Sequence, residues 1–229
     1  STEAHPSVHR IRHAKGHWIW LQTVERVFER DSNGQVIQTI GFARDVTEFH
    51  RSEEILVEAL MINDFLLNTS RILSDPTADY QTVLKRLAAT VAQHFNVVCD
   101  ISILNERTGE VEPEAFHHTD KEVVKVLKSI FSSKKVMKGE GLVGKVIDTG
   151  EEILMLDMAE EIKKNPRDVS PLIIPRSIIY RPLIGSDRVL GSLNLTRLEG
   201  QPIFSQEELK RIRELANHVS LFIENAILR

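Results

Sequence analysis

The chain has 229 residues, enough for one large domain or two small ones, and its 41% hydrophobic and 27% charged residues fit a globular protein with a core of useful size. Acids outnumber bases and the net charge is −4, which excludes the dense basic surface that nucleic-acid binding demands. The single cysteine, Cys99, excludes an internal disulfide and a cysteine-rich metal site, and no apolar run reaches the roughly 18 residues needed to cross a membrane.

Residues 8–47 read as a three-stranded antiparallel meander. Val8 to Ala14 is a short strand and Lys15-Gly16 a turn. His17 to Glu29 is rich in aromatic and β-branched residues, as strands prefer. Asp31-Ser32-Asn33-Gly34 predicts a hairpin, with Asn-Gly suited to a type I′ turn, and Gln35 to Asp45 returns as the third strand.

Residues 48–74 read as one long helix without Pro or Gly. Ile55, Ala59, Ile62, Leu66, Thr69 and Leu73 alternate at spacings of four and three, which is a heptad seam. Helix and strand patterns then alternate. Asp79 to Phe95 is an amphipathic helix, followed by strands over Val97 to Leu104 and Val111 to His118. Lys121 to Phe131 is helical, Leu142 to Asp148 is a short helix between glycines, and Ile153 to Leu156 is a strand. Asn165 to Pro175 reads as a loop. Ser177 to Leu183 and Val189 to Leu198 form a hairpin, and Phe204 to Arg229 is a final helix. Helices at both ends of a mostly antiparallel sheet predict an α+β fold.

Two stretches resemble known families. Gly16-His17-Trp18-Ile19-Trp20-Leu21, Asn33-Gly34-Gln35-Val36 and Gly41-Phe42-Ala43-Arg44-Asp45-Val46-Thr47-Glu48 resemble the C-terminal part of PAS domains, over about residues 8–48. Gly139-Glu140-Gly141-Leu142-Val143-Gly144, Ser177-Ile178-Ile179-Tyr180-Arg181-Pro182-Leu183, Val189-Leu190-Gly191-Ser192-Leu193-Asn194-Leu195 and Phe204-Ser205-Gln206-Glu207-Glu208-Leu209 resemble a GAF domain. The resemblances imply truncated PAS strands at 1–48, a connecting signalling helix at 49–74 and a GAF domain at 75–229. The GAF part is then an antiparallel sheet flanked by helices. They also imply that Asp45 and Thr47 couple the last PAS strand to the helix.

The residues offer no catalytic set. The Gly139-x-Gly141-x-x-Gly144 string lacks the strand and βαβ context of a dinucleotide site, and suits tight turns into a short helix instead. His9, His13 and His17 lie four apart in strand territory, where they are not expected to converge on a metal. His50 lacks an accompanying kinase domain, Cys99 sits wrongly for a bilin, and Asn194 and Phe204 fit the cyclic-nucleotide signature out of register. Starting at Ser1, the chain reads as a piece of a longer protein.

The expectation is a non-catalytic sensory fragment of a bacterial, cytoplasmic signalling protein, by family analogy a sensor histidine kinase whose effector follows Arg229. No metal or cofactor is expected. A small molecule would enter a sheet-face pocket lined by Phe116, His118, Met155, Asp157, Tyr180, Pro182 and Asn194. A homodimer would form through Ile55, Ala59, Ile62, Leu66, Leu73, Ile212, Val219 and Ile223 on the two terminal helices. Nucleic acid and membrane contact are not expected of this fragment. The alternative is a ligand-free GAF dimerisation scaffold. The apolar residues of the first strands, Trp18, Trp20, Val24, Phe28, Ile40 and Phe42, need cover either from the helix 49–74 or from another subunit.

Overall fold

The computed structural model describes residues 6–133, 135–164 and 170–227. They fall into two compact units, residues 1–64 and 65–229. The dividing point lies inside the long helix α1 (Thr47–Leu73).

The first unit holds β1 (Pro6–Arg12), β2 (Trp18–Arg30) and β3 (Val36–Asp45), an antiparallel sheet in chain order. The β2–β3 connection is not the expected type I′ turn. Such a turn needs positive φ at both central residues, and here only Gly34 has it, at 81°. The Asp31 carboxylate takes over the work, accepting the N–H groups of Asn33 and Gln35 at 2.9 and 2.8 Å. Across the β1–β2 turn the His13 and His17 rings stack 4.5 Å apart. The turn reverses the chain between them, which overrides the separation expected along a strand. At the end of β3 the Asp45 carboxylate accepts the Thr47 N–H at 2.9 Å. The Thr47 hydroxyl accepts the Trp20 N–H at 2.8 Å, so it binds β2 to the helix start and does not cap the helix. Trp20 also meets His50 at 4.8 Å. Cover from α1 stops there: Trp18, Phe28, Ile40 and Phe42 are all at least half exposed.

The second unit contains α2 (Tyr80–Phe95), β4 (Val98–Asn105), β5 (Glu110–His117), α3 (Lys121–Ser133), β6 (Val136–Met137) and α4 (Gly141–Thr149). Then come β7 (Ile153–Met155), α5 (Ala159–Lys164), β8 (Pro175–Ile184), β9 (Val189–Leu198) and α6 (Gln206–Ile227). The six strands form one antiparallel sheet in the order β6-β5-β4-β9-β8-β7. The fold is α+β. Of the expected loop at 165–175, residues 165–169 lie outside the described residues, and Pro171–Ile173 form a 3₁₀ turn. Two elements were not expected from the sequence. α5 starts where the Asp157 carboxylate accepts the Ala159 N–H at 2.9 Å. β6 pairs with the start of β5, Val136 opposite Val111.

Local chemistry sets the boundaries. Asp79 caps α2 by accepting the Thr82 N–H, and Asn96 ends it in the left-handed conformation. Gly139 and Gly141 take positive φ, and a side chain at Gly144 would run into the Met137 carbonyl oxygen. The glycine string is therefore the tight entry to α4.

The core lies between the sheet and helices α2 and α6. Val83, Leu84, Leu87, Val91 and Ala92 of α2 meet Cys99, Ile101, Ile179, Leu183, Leu193 and Leu195 from the strands. Leu209, Ile212, Ala216, Val219 and Ile223 of α6 complete it. Ile212, Val219 and Ile223 are thus consumed inside the domain, and the expected dimer seam on α6 does not run through them. A 3.6-residue stripe looks the same whether it faces its own sheet or a second chain. On α1, Phe65, Thr69 and Ile72 are buried, whereas Ile55, Ala59 and Leu66 are exposed and Ile62 and Leu73 are partly covered.

Charges fasten α6 at three places. Arg213 grips Glu152 in a two-pronged pair, at 2.9 and 2.6 Å, and Arg181 of β8 reaches the same carboxylate at 3.5 Å. Arg197 of β9 pairs with Glu208. Glu224 accepts the Ser186 N–H at 2.6 Å, closing the β8–β9 turn against the helix.

Two outcomes are expected in urea denaturation. Gly191→Ala puts a methyl group into the Ser102 carbonyl oxygen on the neighbouring strand and costs about 3 kcal/mol or more; a loss under 1 kcal/mol contradicts the β4–β9 register. Glu152→Ala leaves two arginines without their shared partner and costs about 2 kcal/mol, with Glu152→Gln less harmful.

Candidate functional site

Strand residues alternate between the two faces of a sheet. In β4 and β9 the odd positions, Cys99, Ile101, Leu193 and Leu195, enter the helix-side core. The even positions carry Asp100, Ser102, Ser192 and Asn194 to the other face. Register places them as a square, with Asp100 opposite Asn194 and Ser102 opposite Ser192. All four are buried.

The square is internally bonded but not satisfied. Asn194 Nδ2 donates to Asp100 Oδ2 at 2.7 Å, and Ser102 Oγ donates to the same oxygen at 3.2 Å. That orientation turns Asn194 Oδ1 away from the carboxylate. Asn194 Oδ1 and Ser192 Oγ are buried without a hydrogen-bond partner. A buried polar atom left unpaired costs about 1–3 kcal/mol, so two in one square need an explanation. Burial pushes the Asp100 carboxyl up to about 6, against the pull of its hydrogen bonds from Asn194 and Ser102.

The expected pocket residues mostly surround this square. Phe116 lies beside Asp100 and Tyr180 beside Asn194, so one rung reads Phe116, Asp100, Asn194, Tyr180, Ile153. Pro182 stands opposite Ser192, and Met155 lies on the rung of Ile178 and Thr196. His118 follows the end of β5. Its Nδ1 accepts the Asp120 N–H at 3.0 Å, which leaves the proton on Nε2, itself buried and unpartnered. Burial lowers its pKa. Asp157 is exposed and serves α5 and an ion pair with Arg176 at 2.7 Å, away from the square. Asp100, Ser102 and Ser192 were missed from sequence. The signal was the alternation of polar residues with Cys99, Ile101 and Leu193 in strands otherwise apolar.

Helix α3 covers one side of this face: Val123 and Leu127 join Val98, with Phe116 and Phe131 packed alongside. A wide cleft of about 910 Å³ lies elsewhere, lined by Leu66, Leu73, Tyr80, Leu221, Phe222 and Ala226 from α1, α2 and α6. It is mostly apolar and holds none of the square. Among the described residues no group of three or more His, Cys, Asp or Glu is arranged for a metal ion, and no helix is long and apolar enough to cross a membrane.

A family model described as GAF domain matches residues 77–224, and one described as PAS fold matches residues 3–43. No curated protein matches the chain significantly. Among solved structures, the GAF domain of an Acinetobacter phosphoenolpyruvate-protein phosphotransferase is 21% identical with a TM-score of 0.57, over 72% of this chain and 96% of that one. The corresponding domain from Coxiella burnetii is 21% identical with a TM-score of 0.58, over 73% and 95%. A free methionine-R-sulfoxide reductase from Neisseria meningitidis, in complex with its substrate, is 18% identical with a TM-score of 0.52, over 72% and 90%. At these identities the likeness is one of fold.

The raised Asp100 carboxyl sets a pH dependence. A carboxyl that binds its proton more tightly when folded favours the fold below about pH 4 and disfavours it as pH rises through about 6. The shift from 3.8 to about 6 corresponds to about 3 kcal/mol. Asp100→Asn is expected to be more stable than the parent above about pH 6, with the gap closing towards about pH 4. Urea titrations across that range check it, and a gap independent of pH contradicts the assignment to Asp100.

Proposed function

The chain belongs to the GAF domain family and carries PAS-fold strands ahead of that domain, and from this pairing of sensory and regulatory signalling domains we propose a non-catalytic sensory unit that binds a small molecule on the polar sheet face. The observation that carries the proposal is the incompletely satisfied square of Asp100, Ser102, Ser192 and Asn194. A sheet kept for packing alone gains nothing from burying such atoms. By family analogy the parent is a bacterial sensor histidine kinase with its effector beyond Arg229.

Relay would run through the helices. Ile153 shares a rung with Tyr180, and its neighbour Glu152 is clamped by Arg213 of α6, so displacement on the polar face has a charged connection to that helix. α1 would pair with its counterpart in a second copy through its exposed apolar residues Ile55, Leu56, Leu60 and Leu66. Ligand binding shifts such an assembly only by its differential affinity for two states.

The same exposed stripe favours a second reading, a dimerisation scaffold without a ligand. Enzymatic thiol chemistry is opposed by Cys99: it is the sole cysteine, fully buried among the helix-side core, and burial pushes its thiol well above the ordinary range.

A thermal-shift screen of small metabolites tests the sensory reading. Stabilisation by a compound, abolished in Asn194→Phe while the variant keeps its fold by circular dichroism, is expected. A tight dimer by ultracentrifugation with no compound active in the screen selects the scaffold.

A further inference from the structure

The polar square also constrains what the ligand is, provided it is the ligand site. Its unpartnered buried atoms are two oxygens, Asn194 Oδ1 and Ser192 Oγ. Asn194 Nδ2 donates to Asp100, and its Oδ1 is left as an unpartnered acceptor on a fully buried side chain. Asp100 supplies a carboxylate, whose Oδ2 takes both internal donors. Ser192 Oγ, with either role open, stands two residues from Asn194 on the same face.

Positive charge is directed elsewhere. Arg181 and Arg197 occupy odd strand positions on the helix side, where they meet Glu152 and Glu208. Lys138 and Arg188 pair with Asp148 and Glu106. The square therefore holds a buried anion with acceptors beside it and no cation from these four side chains. Phe116 and Tyr180 bracket it on the same rung, one on each side. A carboxylate, an amide oxygen and flanking aromatic rings form a receptor for a positively charged hydrogen-bond donor.

We propose that Asp100, Asn194 and Ser192 receive the cationic head of a small metabolite, a primary ammonium or a guanidinium. The ammonium or guanidinium N–H groups donate to the Asp100 carboxylate, to Asn194 Oδ1 and to Ser192 Oγ. The charge is thereby neutralised, and both orphaned atoms gain partners. Anionic ligands are rejected, because a second carboxylate beside Asp100 meets like-charge repulsion in a buried setting.

Matched probes test this on the full chain at fixed ionic strength. Butylammonium, benzylammonium and agmatine are compared with butyrate, benzoate and the corresponding neutral amides. The cations are expected to raise Tm by roughly 3 °C at saturating concentration. The rise is expected to vanish in Asp100→Asn, which keeps side-chain shape, and to shrink in Ser192→Ala. Cation binding that survives Asp100→Asn overturns the proposal. Binding of the anions or amides in place of the cations, lost in Asn194→Phe, overturns the charge assignment and leaves the site intact. Inactivity of every probe also overturns the assignment, while the broader metabolite screen decides separately whether the face binds anything. A crystal structure grown with agmatine that shows only ordered water joining Asn194 Oδ1 to Ser192 Oγ gives the square a purely structural role.

Discussion

The two central strands of the larger sheet divide their labour at mid-strand, and the rest of the domain is arranged around it. At the middle of β4 and β9 Cys99, Ile101, Leu193 and Leu195 enter the contact with α2 and α6. The residues between them, Asp100, Ser102, Ser192 and Asn194, are acidic, hydroxylic or amide-bearing. A slip of one residue in the β4–β9 pairing would exchange the two faces, burying Asp100 among leucines and sending Ile101 and Leu193 to the polar side. Gly191 holds the register from one end, since its missing side chain lets the Ser102 carbonyl approach. The hydrophobic core and the polar square are thus two products of one pairing.

The second unit couples that sheet to its last helix by charge as well as by packing. Arg213, Glu208 and Glu224 are spread along α6, and each reaches a different part of the sheet side: Glu152 before β7, Arg197 in β9, and the turn after β8. Apolar packing alone tolerates sliding, whereas ion pairs and a capped turn fix rotation and height. The helix is accordingly held in one register over most of its length.

Much of this was legible in the sequence, and the exceptions have physical reasons. The amphipathic helix from Asp79, the hairpin of β8 and β9 and the long α1 follow from local rules that act within a few residues. The short β6 did not, because two residues carry no period and form a strand only when Glu110 and Val111 are already in place. α5 likewise owes its start to the Asp157 side chain. The stripe on α6 announced a buried face but not its partner. Asp100 was overlooked because a lone acid in an apolar strand is ordinarily solvated. Its burial depends on Asn194, 94 residues away in the chain. Phe116, Tyr180 and Asn194 share one rung of the sheet, while Asp157 is drawn away by α5 and Arg176.

The position of Cys99 has a practical consequence. It is the sole sulfhydryl of the chain, set in a central strand with no solvent access, between Leu195 on the next strand and the packed helices. An alkylating reagent reaches it only when the sheet and helices separate. The rate of its modification in buffer is therefore a native clock for opening of the whole domain, readable by mass spectrometry without introducing any label.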